Sequence, residues 1–424
     1  MSVERTLIAQ VLSALEAEQH AQQTTAQVEA LLYEVTWERR PKPAILQPLL
    51  TPGYWLILAD GRGVGTAFAT ALEELGEMVE QLSSGTEPAQ LQIALANVGK
   101  ADRPLRGILH CWGLDPGASD TPDAHMACQF RNLGSLLQIV QTLATDSSRS
   151  KILPRLWIIT QGAQPLTATE PVALTQTPLW GLGRVIALEH GELWGGLLDI
   201  DAATAPKTAL AEILSFYSDG ETQVAYRQET RYVARLVRRR QRRQGPTPVA
   251  IHPDATYLVT GGLGALGLRV ADWLAAQGAR HLLLTGRRGI TTAEQQETLD
   301  RLMTDGVTMQ VVQVDVTDES AMRALFAQLA GSAFPVKGVF HTAGVLDDAI
   351  LLNQRWERFA PVLASKVAGA WLLHQLTQDL PLDFMIFFSS AAALLGSMGQ
   401  GNYAAANAFL DGLAHYRQRQ GLPA

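Results

Sequence analysis

The stretch TYLVTGGLGALGLRVADWL, residues 256–274, constrains this chain more than any other. A short apolar run from Thr256 to Thr260 is followed by Gly261, Gly262, Gly264 and Gly267, and then by a segment in which Leu268, Val270 and Leu274 recur at helical spacing. A strand that turns sharply through glycines into a helix lets the backbone approach a pyrophosphate closely, with the anion at the positive helix end. Isolated glycines would report only a tight turn. With these flanks they predict a dinucleotide site over Gly261, Gly262, Leu263, Gly264, Leu266 and Gly267.

The next apolar run, HLLLT, ends in Gly286, Arg287 and Arg288. An acidic residue at that place usually holds a free 2′-hydroxyl, whereas guanidinium groups complement a 2′-phosphate, so NADPH is expected in preference to NADH. The third run, MQVVQV, ends at Asp315-Val316, where adenine would be contacted; an acid at a strand end equally serves as a turn former.

Strand-like and helix-like segments alternate from about Tyr54 to a strand-like QVAYRQETRYVARLV, and a second alternating series starts at Tyr257. The two series repeat each other. RPLRGILHCWGLD (103–115) parallels FPVKGVFHTAGVLD (334–347), and PRLWIITQG (154–162) parallels LDFMIFFSS (382–390), in the same order. The expected fold class is α/β, two Rossmann-like doubly wound parallel sheets in tandem, with boundaries at 33–248 and 249–424. The first half attempts the same turn as ADGRGVG, but Asp60 and Arg62 interrupt Gly61, Gly63 and Gly65, and an aspartate there opposes a phosphate. That half is read as a structural copy without a cofactor. Residues 1–32 carry Leu7, Val11, Leu12, Leu15, Val28, Leu31 and Leu32 at helical spacing, either a helix packed on its own chain or a dimerising one, so a homodimer stays open.

At 424 residues, 47% apolar and 18% charged, the chain can bury two cores. It has no apolar run of membrane-spanning length and no basic leader followed by an apolar stretch, so no membrane partner and a cytoplasmic location are expected. A net charge of −7 argues against nucleic acid as the main partner. Cys111 and Cys128 read as buried thiols, and no Cys/His spacing suits a metal.

The string FFSSAAALLGSMGQGNYAAANAFLDGLA (387–414), together with LASKVAGAWLLH (363–374), HTAGVLDD (341–348) and LWGLGRVIALEH (179–190), resembles the ketoreductases of modular polyketide synthases over residues 33–424. That family belongs to the short-chain dehydrogenase/reductase superfamily. The resemblance implies reduction of a β-keto group on a thioester carried by an acyl carrier protein, alongside other synthase domains. It also implies cofactor contacts at Ala343 and Gly344.

Chemistry points to the same residues. Reducing a ketone needs a proton for the developing alkoxide, and Tyr403 can supply it if its anion is stabilised. Ser390 would hydrogen-bond the carbonyl oxygen, Lys366 would lower the tyrosine pKa, and Asn407, at i+4 from Tyr403, would face the same cleft. Ordinary short-chain dehydrogenases place lysine where Asn407 stands. The ketoreductases resemble a swap, with the lysine on the preceding helix, and Lys366 matches that position. Singly, these residues read as well as a strand cap, a core tyrosine and a surface lysine. Their coincidence with a cofactor turn favours catalysis.

Leu346-Asp347-Asp348 matches the loop of the B-type subtype, which gives a D-configured (3R) alcohol, and the tryptophan of the opposite subtype would fall at Leu395. Ala405 stands where epimerising members carry proline, so no inversion at the α-carbon is expected; Gly191 replaces the proline of the family's LEH-P-E segment. The family continues beyond GLPA into another strand and a lid, so the catalytic half is expected to be shortened, or completed by another chain. RLVRRRQRRQGPTP, with Arg235, Arg238, Arg239, Arg240, Arg242 and Arg243, reads as a linker or its flank, or as a docking patch for an acidic carrier protein. The rival to an enzyme is an inactive scaffold of the same fold.

Overall fold

A computed structural model describes residues 31–43, 53–98, 104–117, 120–145, 153–215, 219–239 and 250–424. The helical reading of residues 1–32 lies outside them apart from Leu31 and Leu32, which are exposed; Arg240, Arg242 and Arg243 also lie outside.

The first half contains strands β1 (Tyr33–Arg40), β2 (Tyr54–Ala59), β3 (Met78–Ser83), β4 (Leu105–His110), β5 (Arg155–Gln161), β6 (Trp194–Ile200), β7 (Gln223–Arg227) and β8 (Thr230–Arg238). Between them run helices α1 (Val64–Glu74), α2 (Pro88–Val98), α3 (Pro122–Thr145), α4 (Thr177–Glu189) and α5 (Pro206–Leu214). The sheet order is β1-β8-β7-β6-β5-β4-β2-β3, parallel from β3 to β7. Runs such as WLILA in β2 are buried on both faces, as parallel strands sandwiched by helices require.

Two features depart from the alternating reading. QVAYRQETRYVARLV is a hairpin: Gln228 and Glu229 take φ of 46° and 63°, the left-handed pair that a two-residue turn needs. Glu229 is held there by the amide of Ala205, the hydroxyl of Thr208 and Lys42. Strand β8 then pairs antiparallel with β1, so Arg235 and Arg238 of the arginine run belong to the sheet, in keeping with the flank reading; Arg235 forms an ion pair with Glu221.

The second half contains β9 (Thr256–Thr260), β10 (His281–Gly286), β11 (Thr308–Gln313), β12 (Val336–His341) and β13 (Phe384–Phe387), all parallel in the order β11-β10-β9-β12-β13. Its helices are α6 (Ala265–Ala276), α7 (Ala293–Thr304), α8 (Glu319–Ala330), α9 (Trp356–Leu363), α10 (Ala370–Thr377), α11 (Ala392–Leu395) and α12 (Gly401–Arg419), with a π-helical segment, Ala364–Gly369, between α9 and α10. The repeat seen in the sequence is structural. β4 lies beside β2 as β12 lies beside β9, each pair with a register irregularity at its start.

One apolar core joins the halves, packing Trp180, Leu182 and Val185 of α4 with Phe359 and Val362 of α9 and Phe409 and Leu410 of α12. Helices α4 and α12 touch through backbone: a Cβ on Gly181 would lie 2.3 Å from the carbonyl oxygen of Ala404. The halves therefore position each other. Cys111 and Cys128 are both free and buried, and no described helix is long and apolar enough to cross a membrane.

Candidate active site and nucleotide cleft

At the carboxyl ends of β9, β10, β11 and β12 lies a cleft of about 330 Å³. It opens where the strand order reverses between β9 and β12, the place such sheets bind ligands. Gly261 turns with φ of 69°, and a Cβ there would meet the backbone of Ala343 at 2.8 Å. A Cβ on Gly267 would lie 2.4 Å from the carbonyl oxygen of Gly261, so only glycine lets α6 begin this close to the turn.

Gly261, Leu263 and Gly264 line the cleft together with Arg287, Arg288, Asp315, Val316, Ala343 and Gly344. Gly262 and Gly267 pack behind the loop rather than lining the cleft, and Leu266 stands half-exposed on the first turn of α6, outside the lining. Asp315 lines the cleft, and its carboxylate accepts from the amide and hydroxyl of Thr317, as the turn-forming reading expects.

The same place in the first half is filled from within. The carboxylate of Asp60 accepts from the amides of Arg62 (3.0 Å), Val64 (3.3 Å) and Gly65 (2.7 Å) at the start of α1. A side chain there satisfies the donors that a phosphate would otherwise engage.

The lysine comes from the π-helical segment, a wide turn of a kind often found at functional sites. Lys366 is buried, and its ammonium donates to the carbonyl of Phe388 at 2.8 Å, two residues before Ser390. Burial lowers it from the ordinary lysine value to about 8, with the carboxylate of Asp411 opposing. Its Nζ lies 5.6 Å from the centroid of the Tyr403 ring. Gly344 joins this cluster to the cleft, since a Cβ there would sit 3.2 Å from Cε of Lys366.

Tyr403 is half-buried near the start of α12. One turn on, Asn407 donates from Nδ2 to the carbonyl of Tyr403 at 2.8 Å, while its buried Oδ1 has no partner among the described residues. The hydroxyl of Ser365, beside Lys366 and on the cleft wall, is likewise buried and unpartnered among them. Ser390 accepts from the amide of Ala392 at 3.2 Å and so opens α11.

The loop with Leu346, Asp347 and Asp348 is tethered. Arg358 of α9 chelates the Asp347 carboxylate, holding it below its ordinary range, and also donates to the Asp348 carbonyl. Gln400 donates to the Asp348 carboxylate at 2.9 Å, and Asn402 to the Asp347 carbonyl at 2.9 Å. Leu346 and Leu395 are exposed, Leu395 on the stretch between Ser390 and Tyr403.

Sequence reasoning missed two supports. Gln295 completes a capping box with Thr292 and donates from Nε2 to the Leu263 carbonyl at 2.8 Å, fastening α7 to the glycine loop. The box is visible as Thr-x-x-Gln; its reach across to the loop is not. His341, buried, has Nε2 3.1 Å from the Ser365 carbonyl, which can only accept, so Nδ1 accepts from the Thr260 hydroxyl at 2.7 Å. Burial, with the charge of Lys366, lowers it to about 3, so it stays neutral and ties the glycine strand to the lysine segment.

A family model described as KR domain matches residues 255–424, and one described as the Rossmann fold domain of polyketide synthase extender module SpnB matches residues 35–236. A solved structure of A-type ketoreductases from a modular polyketide synthase superposes with a TM-score of 0.77 at 32% identity, covering 93% of this chain and 81% of that one. The chain belongs to the ketoreductases of modular polyketide synthases.

The first ketoreductase of the tylosin synthase is similar to this ketoreductase to the same degree, with a TM-score of 0.76 and 32% identity over 93% and 81% of the two chains. Among curated relatives, polyketide synthase GfsA of Streptomyces halstedii is 38% identical over 413 residues, 92% of this chain and 5% of the relative. A component of the phenolphthiocerol/phthiocerol polyketide synthase of Mycobacterium tuberculosis (strain CDC 1551 / Oshkosh) is 34% identical over 94% of this chain and 22% of its own length. The ketoreductase chain thus spans a small part of these relatives. Membership implies an oxidoreductase acting on β-ketoacyl groups in polyketide biosynthesis, and the cleft suits the nicotinamide cofactor such reductases use.

Proposed function

We propose that the chain reduces the β-keto group of an acyl thioester, delivered on an acyl carrier protein of the same synthase, to a D-(3R)-hydroxyl with NADPH. The observation that carries this reading is the Lys366 ammonium set beside the Tyr403 ring and joined through Gly344 to the nucleotide cleft. In this reading residues 249–424 form the catalytic unit and 33–248 a unit whose own turn is occupied by Asp60.

The glycine loop and the start of α6 would hold the pyrophosphate, and Arg287 and Arg288 the 2′-phosphate that distinguishes NADPH. When bound, NADPH supplies the hydride for the carbonyl carbon. Ser390 orients the carbonyl oxygen, and the Tyr403 hydroxyl gives its proton to the alkoxide. The Lys366 charge stabilises the resulting phenolate. The Oδ1 of Asn407, without a partner among the described residues, would accept a hydrogen bond from the donor that resupplies a proton to Tyr403.

The D-configuration rests on Leu346-Asp347-Asp348 and on Leu395 in place of tryptophan, and retention at the α-carbon on Ala405. Likeness to A-type and C2-type structures alike, with TM-scores of 0.77 and 0.74, reflects the shared scaffold, so these loop residues carry the subtype. The test is NADPH oxidation with a small β-keto acyl thioester and chiral analysis of the alcohol. Turnover to the D-alcohol, reduced about a hundredfold or more in Tyr403→Phe, is expected. Tight NADPH binding without turnover would favour the scaffold, and an L-alcohol would overturn the subtype.

A further inference from the structure

We infer that Glu189, on the half that carries no nucleotide cleft, is a positioning residue for the substrate site of the other half. The inference rests on the reduction proposed above. Glu189 is the last residue of α4, and its two carboxylate oxygens are divided between two loops of the catalytic half. Oε1 accepts from the amide of Gly399 at 2.7 Å and Oε2 from the amide of Leu351 at 2.6 Å.

Gly399 belongs to the stretch that leads into α12 and Tyr403; Leu351 follows the Leu346-Asp347-Asp348 loop. The two stretches are laced to each other, with the Ala349 amide donating to the Gly399 carbonyl at 2.8 Å and Gln400 to Asp348. Irregular loops leave backbone donors that need acceptors, and a carboxylate between them forms two charge-assisted bonds where a neutral acceptor forms weaker ones. The same half supplies two further anchors. Gln141 of α3 donates to the carbonyls of Leu351 and Gln354 at 2.8 Å each, and Arg184 of α4 to the carbonyl of Ala393 in α11.

Glu189 is not among the residues lining the nucleotide cleft, so its loss should alter how the substrate is faced rather than how NADPH binds. In Glu189→Gln one oxygen can still accept, but the amide nitrogen meets a backbone N–H, and one loop is released.

The experiment uses the full chain as wild type, Glu189→Gln and, as control, Glu192→Gln, whose carboxylate pairs only with His190 among its described side-chain partners. Amide hydrogen exchange over residues 346–351 and 396–402 should quicken about tenfold in Glu189→Gln alone. With a β-keto thioester, KM should rise about tenfold and the minor alcohol enantiomer increase several-fold, with the NADPH dissociation constant unchanged. Unchanged exchange and unchanged enantiomer ratio would overturn the inference. So would a loss of NADPH affinity in step with the melting temperature, which marks a purely structural role. If the wild type reduces no thioester, the reduction reading fails, and the exchange data alone decide whether Glu189 holds the loops. Should Glu189→Gln not fold, Glu189→Asp, with both oxygens on a shorter stem, carries the same comparison.

Discussion

The ammonium of Lys366 lies 5.6 Å from the centre of the Tyr403 ring, although one residue comes from the π-helical segment before α10 and the other from α12. The Phe388 carbonyl, one residue past the end of β13, accepts from that ammonium at 2.8 Å and fixes its position. A π-helical segment, a helix and a strand end thus converge on one phenol ring.

Burial lowers Lys366 to about 8, and only its charged form stabilises a phenolate, so turnover should be full below that pH and fall as pH rises through about 8. A profile of kcat/KM against pH should show that alkaline limb. Lys366→Arg keeps its charge at every accessible pH and should abolish the limb while lowering the rate. The same shift acts on stability in the opposite sense: between about 8 and the ordinary lysine value the unfolded chain binds more protons, so this group makes folding more favourable as pH rises.

Arg287 and Arg288 both line the cleft beyond the end of β10. Replacing both by alanine should weaken NADPH about 10- to 100-fold and leave NADH nearly unchanged, because only NADPH carries the phosphate they would meet. Fluorescence titration with each nucleotide measures the ratio.

Gly181→Ala should destabilise the chain by about 1–3 kcal/mol, since a Cβ 2.3 Å from the Ala404 carbonyl forces α4 and α12 apart. The displaced backbone adjoins Tyr403, so turnover should fall further than stability alone explains. Urea midpoints and kcat on the same preparation separate the two effects.

Acid should begin to destabilise the fold below the ordinary histidine value. Burial lowers both His110 and His341 to about 3, so below about 6.5 the unfolded chain binds protons that the folded chain refuses. Stability is present above that pH and lost as pH falls, at about 1.4 kcal/mol per pH unit for each histidine. His110→Gln, in β4 of the first half, should flatten the slope of unfolding free energy between pH 6 and 4 by about one such increment.

The sequence by itself determined the tandem α/β plan, the glycine turn, the paired arginines and the four candidates Lys366, Ser390, Tyr403 and Asn407. Those features are written in short-range patterns: apolar runs of strand length, glycines where backbones nearly touch, an i+4 spacing on one helix. It also registered that Asp60 opposes a phosphate, but only the folded chain turned that charge into the acceptor for three amides. The hairpin at Gln228-Glu229 escaped notice because neither residue is a usual left-handed former, and its geometry is held by distant partners of Glu229. Gln295 on Leu263, His341 between Thr260 and Ser365, and Glu189 between Leu351 and Gly399 were decided by tertiary structure alone. Each spans elements remote in sequence, and the core shared by α4, α9 and α12 sets which side chains meet, a relation that no local pattern encodes.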